Sequence, residues 1–390
     1  MKITSKNLLA GALAFIALPR AMAAEVKVAP YGETSNGLSV HAYTLINDKG
    51  ASATILDFGG TITAINVPDR NGHLGNVVMA FSDITAWEKL GYANAIIGRV
   101  ANRIANGFTL DGVHYNLKQT NEQGVTMHGG PPAYTTRVWQ TEPISKKDGA
   151  KVTLTLDSPD GDQGFPGHVK VKTVYSFGND NALRMDLTAI TDKPTIINLT
   201  NHIYFNLSGN STVPVSDHTL QVAADRYMEA ESGKGPTGKI LAVTGTPDDF
   251  TRPTRIGDRV ALSLSAAYDN AATAPPVPAG MRRSFNEAMV LNDDVRTLKK
   301  VAVRLVDPLS GRVLEMRTDE VSIQVFTPAT MRDGLLSDAG KAFTRMPSIA
   351  LEAEHLPDSP NFPQFPTVVL RPGETFKSTT IYGFTTRTKH

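Results

Sequence analysis

Val169-Lys170-Val171-Lys172-Thr173-Val174-Tyr175 is the stretch that decides the fold. The β-branched and aromatic Val169, Val171, Thr173 and Tyr175 take every second position, with Lys170, Lys172 and Val174 between, the period of a strand with one buried face. Upstream, the same alternation recurs in Lys151-Val152-Thr153-Leu154-Thr155-Leu156 and in Ser52-Ala53-Thr54-Ile55-Leu56-Asp57-Phe58. Downstream it returns in Val301-Ala302-Val303-Arg304-Leu305-Val306 and Val321-Ser322-Ile323-Gln324-Val325-Phe326. Turn clusters separate the runs, among them Asp69-Arg70-Asn71-Gly72, Ser158-Pro159-Asp160-Gly161, Gly178-Asn179-Asp180-Asn181 and Pro308-Leu309-Ser310-Gly311. Period-two runs between such turns are the pattern of antiparallel hairpins. Helical periodicity is scarce, with one short turn expected over residues 84–90, and no strand–helix–strand alternation suggests a doubly wound sheet. The expectation is an all-β chain: a large antiparallel β-sandwich with few short helices. Length alone allows two or three domains of about 150 residues. Strands continue beyond the Ala/Pro-rich residues 271–280, however, so a single domain over residues 24–390 is expected.

The N-terminus reads as an export signal. Lys2 and Lys6 precede an uncharged apolar run over residues 8–18, and Ala21-Met22-Ala23 offers the small-x-small pattern of a cleavage site. The run is too short to span a bilayer, which takes about 20 residues. A secreted or periplasmic protein is expected, with no membrane partner after residues 1–23 are removed. Cysteine is absent, which excludes disulfides, zinc–thiolate sites and thiol catalysis. With 39 basic and 38 acidic residues the net charge is +1, so no field steers the chain to nucleic acid. A neutral small molecule fits this balance better than a polyanion.

Nucleotide-binding loops, a nucleophile elbow and a zinc-protease motif are all missing from the sequence. Four segments instead place polar groups among apolar ones. Ile97-Gly98-Arg99-Val100-Ala101-Asn102-Arg103-Ile104 carries two arginines, each needing a carboxylate, a ligand oxygen or a buried structural partner. In Met127-His128-Gly129-Gly130 the glycines permit close backbone approach, and the histidine is either structural or functional. Residues 197–207 alternate like a strand and load one face with Asn198, Thr200, His202 and Tyr204, which reads as a water- or sugar-filled concavity. The Asn-x-Thr and Asn-x-Ser sequons there read as coincidence, since the alternation puts them inside a sheet. In Ser348-Ile349-Ala350-Leu351-Glu352, the glutamate falls on the strand face opposite Ile349 and Leu351. Partial desolvation at the end of this apolar run would raise its pKa, with a surface salt bridge as the alternative.

In this order, the segments resemble the aldose 1-epimerase (galactose mutarotase) family. Further shared landmarks are Phe58-Gly59-Gly60, Asn102-Arg103-Ile104-Ala105-Asn106-Gly107, His128-Gly129-Gly130, Arg137-Val138-Trp139, Gly164-Phe165-Pro166-Gly167, Pro357-Asp358-Ser359-Pro360-Asn361 and Leu370-Arg371-Pro372-Gly373-Glu374. The resemblance implies a galactose mutarotase-like supersandwich with a sugar cleft across one sheet. It implies Glu352 as general base and His202 as general acid, with His128, Asn102, Arg103 and Gln324 holding the sugar. The implied reaction is interconversion of the α and β anomers of a free aldose of the glucose or galactose type, with no metal and no organic cofactor. The partner is a free monosaccharide, and the expected state is a monomer or weak homodimer.

One position departs from the family pattern. The best alignment puts Asn286 where the family carries a sugar-binding Asp, and Asp269 in Tyr268-Asp269-Asn270 could supply that carboxylate instead. Two rival readings are a non-catalytic carbohydrate-binding sandwich and a relative of the glycoside hydrolases. The first predicts loss of Glu352 or His202, and both are present. The second needs two opposed carboxylates, and no acidic partner for Glu352 is evident among the matched positions.

Overall fold

In the computed structural model, alternation in sequence becomes alternation in burial. The structure describes residues 24–388 except 119–120, 147–148, 232–234, 261–283, 330 and 332–333. The expected leader, the Ala/Pro-rich stretch and Asp269 lie outside the described residues. Along Val169–Gly178 every second side chain is buried, and its neighbour Ala182–Thr191 does the same in antiparallel register, Thr173 facing Leu187. Each fully buried Val or Leu of these faces contributes about 2 kcal/mol of transfer free energy.

These two strands belong to a nine-stranded antiparallel sheet that also holds Gly149–Ser158, Phe376–Thr386 and Arg312–Thr318. A five-stranded meander runs from Glu25–Glu33 to Leu74–Asn76. A six-stranded sheet orders Tyr204–Phe205, Ile349–Glu354, Ser322–Phe326, Asn286–Val290, Arg226–Glu231 and Gly235–Ala242. A bridge between Val78 and Phe205 joins the meander to the edge of the six-stranded sheet. All three sheets feed one core, in which Leu45 and Ile65 of the meander, Val171 and Leu187 of the large sheet, and Ile323 and Leu351 of the six-stranded sheet pack together. The result is a large antiparallel all-β sandwich, as expected. The one α-helix among the described residues is Ile84–Leu90, as the sequence predicts.

Residues 197–207 differ from expectation. Only Thr200–Asn201 and Tyr204–Phe205 pair as strands, so the segment crosses the molecule as irregular chain. Its polar side chains largely serve the backbone: Asn198 brackets His355 through Nδ2 and Oδ1, and the Thr200 hydroxyl donates to the carbonyl of Ala353. The expected concave polar face therefore reduces to His202. Both sequon asparagines, Asn198 and Asn206, are buried, which agrees with the reading of the sequons as coincidental.

Candidate active site

Strand register builds the floor of the site. Gln324 pairs with Glu352 on one side and with Ala288 on the other, while Phe326 pairs with Ala350 and Asn286. Directly opposed residues share a face, so Asn286, Gln324, Phe326, Glu352 and Glu354 all rise from the same side of the six-stranded sheet. Ile349, Leu351 and Ala353 go the other way, into the core. Glu352 thus sits inside a strand buried along its whole length, not at a surface.

Irregular segments supply the walls. The helix is capped by Asp83 and ends at Gly91, whose φ of +78° suits glycine and whose N–H donates to Trp87. This stop releases Tyr92 toward the cavity. The following backbone is fastened to His202, whose N–H donates to Ala95 while Asn94 donates to the His202 carbonyl. Arg99 is fully buried and donates to the carbonyls of Pro166 and Pro159 and to the oxygens of Ser158 and Thr195. It is a structural clamp whose two terminal nitrogens are held by neutral oxygens, whereas Arg103 turns into the cavity. The 98–103 segment meets the His128 loop at very close range. A Cβ on Gly129 would lie 2.4 Å from the carbonyl oxygen of Gly98, so glycine is required there.

A cavity of about 140 Å³ is lined by Tyr92, Asn102, Arg103, Met127, His128, His202, Asn286, Gln324, Phe326 and Glu352. It is smaller than a drug-sized pocket and suits one small polar molecule. His202 Nε2 lies 3.4 Å from Glu352 Oε1. The His202 ring stacks on Tyr204 at 4.7 Å between centroids and meets Tyr92 at 5.2 Å, which fixes its plane. Glu352 Oε2 and His202 Nδ1 are buried with no hydrogen-bond partner among the described residues. Buried polar atoms rarely stay unpaired, and two of them at one small cavity mark where a ligand would bind.

Around this pair runs a polar network centred on Asn102. Its Nδ2 donates to Gln324 Oε1 at 2.8 Å and to Glu354 Oε1 at 2.9 Å, and its Oδ1 accepts from Arg103 at 2.9 Å. Gln324 Nε2 then donates to Asn286 Oδ1 at 3.0 Å. The Asn102 backbone N–H reaches His128 Nδ1 at 3.3 Å. That contact makes Nδ1 the acceptor, so a neutral His128 carries its proton on Nε2. Burial holds His128 well below the ordinary histidine range, with His202 and Arg103 adding to the effect. Burial likewise lowers His202 to about 3 and pushes Glu352 well above the carboxylate range; the nearby Glu354 raises Glu352 further and Arg103 opposes.

The structure brings together seven of the eight residues expected at the site, Asp269 being outside the described residues. Asn286 stands at the exposed rim, in reach of Gln324. Sequence reasoning missed Tyr92, Phe326 and Glu354. The last two share the period-two face of Gln324 and Glu352, so a signal for them was present. Tyr92 depends on the turn at Gly91 and had none. A second depression, about 320 Å³ on the outer face of the large sheet near Lys170, Lys172, Thr188 and Ile190, contains no buried titratable group.

Fold and site together define a small-molecule enzyme whose cavity sets a carboxyl beside an imidazole. The family model for aldose 1-epimerase matches residues 41–383, and the chain belongs to that family. It is 33% identical to galactose mutarotase of Rattus norvegicus over 91% of this chain and 97% of that one. It is 32% identical to aldose 1-epimerase of Escherichia coli K12 over 90% of this chain and 96% of that one. Among solved structures, a galactose 1-epimerase from Lactobacillus acidophilus superposes with a TM-score of 0.77 at 25% identity, covering 94% of this chain and all of that one. An aldose epimerase homologue from C. elegans gives a TM-score of 0.75 at 25% identity, covering 93% and 100%.

Proposed function

We propose that this protein is an aldose 1-epimerase that interconverts the α and β anomers of a free aldose of the glucose or galactose type, with Glu352 and His202 as its acid–base pair. The observation that carries the reading is the buried contact between those two side chains at one small cavity, each with an unpartnered polar atom. Glu352 takes the proton of the C1 hydroxyl while His202 delivers one to the ring oxygen. The C1–O5 bond breaks, C1 becomes an aldehyde carbon, and rotation about C1–C2 presents its other face. Closure then reverses both transfers. Each group contributes about 10²–10⁴-fold.

The protonation states suit a reaction that runs both ways. Burial disfavours both charged forms, so the pair's single proton rests on Glu352 with His202 neutral. That is the state from which an open-chain aldose closes. Ring opening uses the other arrangement of the same proton, carboxylate with imidazolium, which a bound sugar can stabilise through Arg103, His128 and Gln324. Asn102 orients these groups more than it contacts sugar, because both its amide hydrogens are engaged inside the protein. A glycosidase reading is less well supported: Glu354 is a second carboxyl, but on the same strand face rather than opposed across the cavity. The N-terminal pattern supports export to the periplasm or beyond, with a mature chain that starts near residue 24.

Polarimetry of freshly dissolved α-D-glucose and α-D-galactose tests the reading. The wild-type protein should bring both to equilibrium rotation faster than buffer does. Rates equal to buffer for both sugars would refute it.

A further inference from the structure

Pro357-Asp358-Ser359-Pro360-Asn361 is a landmark of the sequence, yet none of its residues lines the cavity. It follows closely on the strand Ile349–Glu354, which carries Glu352. Its polar groups reach a distant segment, residues 103–107. The Asp358 N–H donates to the carbonyl of Arg103 at 2.9 Å, and Asp358 Oδ1 accepts from the Ala105 N–H at 3.3 Å. Asn361 Nδ2 donates to the Gly107 carbonyl at 2.9 Å and to Asp358 Oδ1 at 2.7 Å, with the Ala105 carbonyl at 3.2 Å. We infer that Asp358 and Asn361 are positioning residues for the mutarotase reaction: a clamp on the backbone of residues 103–107 that sets where the Arg103 guanidinium sits in the cavity. The inference rests on the reading of Arg103 as a group that holds the sugar beside Glu352 and His202.

Register explains why a clamp is needed and where it attaches. Arg103–Ala105 pairs with Val125–Met127 in a two-stranded sheet, and such a pair is marginal without further support. His128 donates to the carbonyl of Asn102 and Asn106 to that of Gly124, so these residues and Ile104 turn their backbone groups toward the partner strand. Those of Arg103 and Ala105 point to the other edge, and there the Asp358 N–H and carboxyl meet them. Asp358 holds a φ of +56°, a left-handed conformation that Asp and Asn adopt more readily than most side chains. It is buried, whereas Asn361 is exposed, so truncating Asn361 leaves no hole in the core. On the cavity side Arg103 donates to Asn102 Oδ1 at 2.9 Å, and its charge acts on Glu352. Misplacing such a group by about 1 Å can cost about 100-fold in rate. Residues 352–361 thus carry the base at one end and the fastening of Arg103 at the other.

Asn361→Ala removes the donor and should lower kcat/KM on α-D-galactose about ten-fold. Asp358→Asn keeps an acceptor oxygen and suits the same φ, so it should stay within about two-fold of wild type. In an Arg103→Met background, Asn361→Ala should cost less than about two-fold, because the group it positions is gone. Its lowering of Tm should be the same in both backgrounds. An equal loss of kcat/KM in both backgrounds, or no loss in the wild-type one, would overturn the inference. Nitrogen-15 NMR of the arginine Nε–H groups reads the same effect without turnover. The Arg103 resonance should move in Asn361→Ala and keep its wild-type position in Asp358→Asn. A resonance that stays put in Asn361→Ala would overturn the clamp whether or not the protein turns over sugar, so the two readings fail separately.

Discussion

Asn286 is the residue at which the cavity's chemistry is most open to change. It accepts from Gln324 through Oδ1 and stands at the exposed rim. An aspartate there keeps the acceptor and adds a charge, and charged acceptors hold hydroxyl donors about twice as strongly as neutral ones. Because the position is exposed, the added charge pays little desolvation. Asn286→Asp is expected to lower KM for glucose or galactose several-fold, about 1 kcal/mol, with kcat little changed. Steady-state polarimetry checks this. If Asp269 supplies that carboxylate instead, the substitution should be neutral or harmful, because two carboxylates would crowd one site. The arginines show where single-residue reading stops. Arg99 and Arg103 both sit among apolar neighbours, yet one meets Ser158, Thr195 and Pro166 and the other meets the cavity. Only partners distant in sequence separate the two roles.

At the scale of elements, the strand that carries Glu352 ends beside a buried pair made by His355, just past its last residue, and Glu320. His355 Nδ1 lies 2.7 Å from Glu320, whose side chain is 2% exposed against 22% for His355. Burial works to lower the His355 pKa, but the hydrogen bond and charge of Glu320, helped by Asp319, raise it above the ordinary value. A group raised in the folded state stabilises the fold fully below its unfolded pKa, about 6.5, and loses that contribution as pH rises through the folded value. Glu320→Gln should therefore destabilise the protein by about 1–2 kcal/mol near pH 5.5 and by clearly less near pH 9. Urea unfolding at the two pH values measures the difference, and equal losses at both would show that the pair's charge adds nothing. Elements were also the most legible part of the sequence. Val169–Gly178 and Ser322–Phe326 announce themselves because a strand with one or two buried faces must repeat its apolar pattern. The 197–207 segment misled for the same reason. Its alternation was real, but Asn198 and Thr200 spend their polar atoms on the backbone at Ala353 and His355, a use that period-two reasoning does not distinguish from a solvated face.

On the whole-molecule scale, the cavity draws on residues from Tyr92 to Glu352, so no short segment could form it alone. This is why Glu352 and His202 could be assigned roles from family resemblance but not from local sequence, which left a surface salt bridge open for Glu352 and gave His202 only a place on a polar concave face. Stability comes from one core shared by three sheets, without any disulfide. The export reading makes a separate prediction: mass spectrometry of the protein recovered from the periplasm or medium should show a start within a residue or two of Ala24, and an intact Met1 there would contradict it. The central claim is that the buried carboxyl of Glu352 moves the C1 proton. The most direct test is kcat of Glu352→Gln on α-D-galactose, measured alongside sugar affinity. An amide of the same shape cannot accept that proton, so kcat should fall at least about 100-fold while affinity stays within a few-fold. A variant that turns over near the wild-type rate would contradict the account.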